Sequence, residues 1–178
     1  RLKRFPFWAA LCIFTVRGVV VNLGLFLHFQ ATLLGLAGDK GAGRSLWPIP
    51  PVIWALTGFI LVFTFAIAIF KDIPDAEGDR HYGIATFTLS LGRKNVFNLA
   101  RWVLTICYVG MAIAGIWGGL PVNALALAAP HLSLLALFWW RSFTVDLDDK
   151  AAVSNFYQFI WKLFFSEYLL FPLVCIWP

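Results

Sequence analysis

Apolar residues run along this chain in five long blocks, spanning residues 5–30, 49–70, 96–117, 122–140 and 155–177, with polar breaks between them. Each block is about 20 residues long, enough to cross roughly 30 Å of hydrocarbon at about 1.5 Å per helical residue. The pattern predicts an all-α fold, a polytopic transmembrane helical bundle. Pro48, Pro50 and Pro51 suit the entrance of the second helix, where a missing N–H costs nothing. Gly118-Gly119-Leu120-Pro121 predicts a tight turn that ends the third. Trp8, Trp47, Trp117, Trp139, Trp140 and Trp177 fall near block ends, where interfacial anchors sit.

Composition sharpens this picture. Of 178 residues, 61% are hydrophobic and 13% charged, half the charge of an ordinary soluble domain, so the lipid bilayer is the implied surrounding. The net charge of +5 does not point to nucleic acid. The bases lie at helix ends and on one side: Arg1, Lys3, Arg4, Lys71, Arg80, Arg93, Lys94, Arg141 and Lys150, against Lys40 and Arg44 on the other. The positive-inside tendency assigns the richer side, with the 71–95 loop, to the cytoplasm or its plastid equivalent, the stroma. Cys12, Cys107 and Cys175 stand singly inside apolar runs, with neither disulfide nor metal spacing.

The 71–95 loop opens with Lys71-Asp72-Ile73-Pro74-Asp75-Ala76-Glu77-Gly78-Asp79-Arg80. At about 100° per helical residue, Asp72, Asp75 and Asp79 fall within roughly 60° of one face. Two bases do not balance four acids. A divalent cation would, and magnesium bridges carboxylates to a substrate phosphate. Lys71 and Arg80 would then address the remaining phosphate oxygens, Arg as a fork and Lys as a point charge. The plain alternative is a solvated acidic loop that stops the helix. Asp146-Leu147-Asp148-Asp149, on the same side, reads as such a solvated patch.

Two ions lie inside spans. Arg17 and Glu167 are each about 12 residues into theirs, counted from the same side, and are expected to pair or to line one polar cavity. They either contact substrate or act as a strut between helices. Asn22 either bonds a neighbouring helix or orients a substrate. Lys162 either snorkels or reaches the acidic surface or a substrate carboxylate. His28 and His131 read as interface residues near helix ends, and His81 adjoins the aspartate segment.

The aspartate segment, with Gly83-Ile84-Ala85-Thr86-Phe87 and Leu91-Gly92 after it, resembles the second aspartate-rich motif of the UbiA-type membrane prenyltransferases. Within that family the Lys-Asp-Ile-Pro-Asp form is similar to the homogentisate branch. Val16-Arg17-Gly18, Val21-Asn22-Leu23-Gly24, Phe156 to Phe164 and Glu167-Tyr168-Leu169-Leu170 are similar to its phytyl-transferring members. The resemblance covers nearly the whole chain. It implies a nine-helix bundle with two facing aspartate motifs, of which this chain holds five spans and the second motif, its C-terminal part. It implies magnesium at Asp72, Asp75 and Asp79, with a prenyl diphosphate and an aromatic acceptor as substrates. The implied reaction is phytyl transfer to homogentisate with decarboxylation, in tocopherol biosynthesis, in a plasma, thylakoid or plastid membrane of a phototroph. Alternatives within the family are solanesyl or geranylgeranyl donors. Some members carry a Tyr at the position of Ile67, so no tyrosine role is expected there. Outside the family, a transporter using the buried charges and a structural membrane subunit are the competing readings.

Overall fold

The computed structural model describes residues 11–33, 49–117 and 120–176. Its helices are α1 (Leu11–Leu33), α2 (Pro51–Phe70), α3 (Asp72–His81), α4 (Phe87–Leu91), α5 (Arg93–Trp117), α6 (Ala124–Phe143) and α7 (Lys150–Ile176). Five of them, α1, α2, α5, α6 and α7, are long and apolar enough to cross a membrane. The chain is an integral, polytopic membrane protein. The tail 1–10, the Gly-rich loop with Lys40 and Arg44, and Trp8, Trp47 and Trp177 lie outside the described residues.

The largest correction concerns 71–95, expected as a loop. It folds into α3 and α4, and α5 begins at Arg93, three residues before the expected start. The last helix starts at Lys150, five residues early, because Asp149 caps it: its Oδ1 accepts from Ala151 N–H at 2.8 Å. Asp146 likewise accepts from Asp148 N–H at 2.9 Å, so this acidic patch builds the turn between α6 and α7. Asn123 caps α6, accepting from Leu125 and Ala126 N–H at 3.0 Å each.

The hub is α2. It is apolar on all sides, as a helix packed on several faces must be, and it contacts α1, α5 and α7. The remaining helix, α6, packs on α5 and α7. Aromatic rings fill the interior: Phe63 meets Tyr108 at 6.0 Å and Phe164 at 5.6 Å, and Phe70 meets Phe97 and Phe156, both at 5.7 Å. Packing of α1 on α2 depends on Gly18. A Cβ there would lie 2.7 Å from Leu61 Cα, closer than any real side chain allows, so only glycine lets these backbones approach. Trp139, expected as an anchor, also ties α6 to α5. Its indole N–H donates to Thr105 Oγ1 at 3.0 Å, and the Arg101 guanidinium lies 4.0 Å above the ring.

Candidate functional site

The acidic segment is helical because its charges agree with the helix dipole. Asp72 and Asp75 occupy the first turn, and Arg80 and His81 the last. Pro74 falls in the first turn, where its missing N–H would have no intrahelical partner. Lys71 links α2 to α3, its N–H still donating to the Ile67 carbonyl at 3.1 Å. The helix ends where Gly83 takes φ +62° and Ile84 N–H donates to the Asp79 carbonyl at 2.8 Å.

This helix rests on the ends of α5 and α7 through Ile73 and Ala76, both buried. The carboxylate face runs along the edge of that seat. Asp72 is partly covered, Asp79 is half-buried and Asp75 is exposed. Burial pushes the Asp72 carboxyl above its ordinary value. The adjacent Lys71 Nζ, 3.4 Å away, counters this, while Asp79 and Asp75 reinforce it by repulsion. The three acids therefore share a face and sense one another's charge. Among the described residues, no three acidic, His or Cys side chains converge closely enough to hold a metal by themselves. Such a donor set fits an ion that takes one or two carboxylates and completes its shell with water and phosphate. Glu77 points elsewhere and bonds Arg93 Nη2 at 3.1 Å, tying α3 to α5. Arg80 is exposed beside the acidic face, and among the described residues has no carboxylate within 4 Å.

The expected partnership of Arg17 with Glu167 is not formed. Glu167 is completely buried and pairs with His131, Oε1 to Nε2 at 3.0 Å, while Arg17 is exposed and lies over the Trp161 ring of α7. His131 is thus a core residue rather than an interface one, because the Leu127 carbonyl and Glu167 satisfy both ring nitrogens. Asn22 bonds its own helix: Nδ2 donates to the carbonyls of Arg17 at 3.0 Å and Gly18 at 2.8 Å. Those carbonyls belong to a π-helical stretch, Thr15–Val21, that nothing in the residue pattern foretold. Lys162 is exposed on α7, next to Trp161. His81 ends α3 with its ring 5.1 Å from that of Tyr82.

Fold and site together define a polytopic helical membrane protein that presents a carboxylate-bearing helix at one end of the bundle. Residues 1–163 match the UbiA prenyltransferase family, and the chain belongs to it, as the motif at Lys71–Arg80 led one to expect. It is 57% identical over 173 residues to homogentisate phytyltransferase of Synechocystis sp., covering 97% of this chain and 53% of that protein. It is 37% identical over 172 residues to homogentisate phytyltransferase 1, chloroplastic, of Arabidopsis thaliana, covering 97% and 42%. It is 34% identical over 174 residues to homogentisate solanesyltransferase, chloroplastic, of the same plant, again covering 97% and 42%. The chain spans about half the length of the curated relatives it matches. No solved structure matches it significantly.

Proposed function

We propose that this chain is the C-terminal part of a membrane prenyltransferase that transfers a phytyl group from its diphosphate to homogentisate, with decarboxylation, in tocopherol biosynthesis. The observation that carries this reading is the carboxylate face of α3, at the end of a bundle 57% identical to a homogentisate phytyltransferase. Names of the relatives favour a thylakoid, plastid or plasma membrane of a phototroph. A solanesyl or geranylgeranyl donor is the second reading, favoured by relatives at 34% identity with those names.

Asp75 and Asp79, with Asp72 near, would hold magnesium, which supplies positive charge against the diphosphate. Arg80 offers a bidentate fork to phosphate oxygens, and Lys71 is a point charge already spent partly on Asp72. In the reaction the allylic carbon–oxygen bond breaks and the diphosphate leaves with the electron pair. A ring carbon of the acceptor attacks the allylic cation and then loses its proton. The acetate carboxylate leaves as carbon dioxide, its methylene carbon taking up a proton. The apolar bundle keeps water from the cation.

The test supplies labelled homogentisate with phytyl and solanesyl diphosphates to membranes holding the full-length polypeptide, with and without magnesium. Magnesium-dependent prenylation that Asp75→Asn and Asp79→Asn abolish is expected. No product from either donor, or from geranylgeranyl diphosphate supplied in the same way, would refute the transferase reading, and full product in both variants would refute the metal role. On this reading residues 1–178 alone turn over nothing.

A further inference from the structure

We propose that the groove between α1 and α7 binds the carboxylate and ring of an aromatic acid, with Arg17 as the anion-binding residue. Its identification as the acceptor subsite rests on the transferase reading. The groove is open on one side and offers about 340 Å³ between Arg17 and Val21 of α1 and Trp161, Phe164, Phe165 and Tyr168 of α7. That volume is at the small end of ligand pockets.

The guanidinium of Arg17 lies 4.9 Å from the centre of the Trp161 ring. Among the described residues no carboxylate comes within 4 Å of it, and Glu167 on the facing helix is committed to His131. A cation inside a membrane span without an anion calls for one from outside the described chain. Its backbone is held for the purpose. Gly18 presses α1 onto Leu61, and Asn22 takes the carbonyls of Arg17 and Gly18. The π-helical stretch carrying Arg17 is a geometry frequent at functional sites.

Depth and walls select the ligand. Gly18 is level with Leu61, nine residues before Phe70, so the groove lies about 14 Å along the helix axis from the start of α3. That is well inside the hydrocarbon, away from lipid headgroups. Its walls are aromatic, with Trp161 stacked on Phe165 at 5.7 Å and Phe164 edge-on to Tyr168 at 5.6 Å. Such walls accept a flat ring, and Arg17 a carboxylate. Homogentisate is an acid of this kind.

The experiment measures equilibrium binding of labelled homogentisate to the full-length polypeptide in membranes, and the KM of each substrate. Arg17→Gln is expected to weaken homogentisate binding roughly tenfold or more, with Arg17→Lys intermediate. The KM for the prenyl diphosphate should stay unchanged, which also shows the variant folded. Methylhydroquinone, which lacks the carboxylate, should bind wild type and Arg17→Gln equally. Asp75→Asn should leave homogentisate binding intact. Unchanged homogentisate affinity in Arg17→Gln, or an equal loss for methylhydroquinone, overturns the proposal. So does protection of Phe165→Cys from a lipid-soluble maleimide without homogentisate, because another protein segment then fills the groove. Arg17-dependent binding without prenyl transfer by the wild type keeps the subsite and removes the transferase reading. Transfer with an Arg17-independent acceptor KM does the reverse.

Discussion

His131 Nε2 lies 3.0 Å from Glu167 Oε1, and both side chains are completely shielded from solvent. The other ring nitrogen, Nδ1, donates to the Leu127 carbonyl at 2.6 Å. Either an imidazolium faces a carboxylate, or a neutral ring accepts from a carboxylic acid. The pair is neutral both ways and cross-links α6 to α7. His131→Ala strands Glu167, whose second oxygen is already without a partner among the described residues. We expect a loss of about 3–5 kcal/mol. His131→Leu combined with Glu167→Leu should lose less than His131→Ala, because no unpaired carboxyl is left behind. Thermal unfolding in detergent reads both, and equal losses in the single and double variants would contradict the pairing argument.

Gly18→Ala is expected to destabilise the contact of α1 with α2, since the added Cβ would sit 2.7 Å from Leu61 Cα. The cost should be about 1–3 kcal/mol, the range for overpacking a tight contact. Gly24→Ala is the control, because a Cβ at that position meets nothing within 4 Å among the described residues. Comparable losses at both positions in the same unfolding assay would argue against close backbone packing.

The four acids of α3 should separate into two groups. Glu77→Gln removes an exposed pair with Arg93 and should cost under about 1 kcal/mol. It should leave magnesium affinity unchanged. Asp79→Asn, on the shared face, should weaken magnesium binding by itself. Calorimetric titration of the full-length protein with magnesium and a prenyl diphosphate tells them apart; equal effects would mean that only bulk negative charge matters.

Asn123→Ala removes the oxygen that accepts from Leu125 and Ala126. Loss of this cap should lower stability by about 1 kcal/mol. Asn123→Asp should largely restore it in the same unfolding measurement, whereas a role in side-chain packing alone would not be rescued.

The five spanning helices are readable because run length and apolarity alone mark them. The carboxylate face is readable because Asp72, Asp75 and Asp79 obey helical spacing. The helix beneath them is less visible: Pro74 and Gly78 look like breakers, and only their places, first turn and exposed surface, make them harmless. Depth counted from one side alone matches Arg17 with Glu167. Counted from the other, His131 is seven residues from Ala124 and Glu167 nine from Ile176, about 10 and 14 Å deep. That count brings them level. Which way Arg17 points depends on the π-helical stretch, and no spacing rule announces one.

The joint between α2 and α3 has a mechanical meaning. Pro74 has no N–H to give the Phe70 carbonyl, so the ladder that stiffens a continuous helix is missing a rung there. The acids thus ride on a short arm whose position is set by the seating of Ile73 and Ala76 and by the Glu77–Arg93 pair, rather than by an unbroken helix rising from the hub.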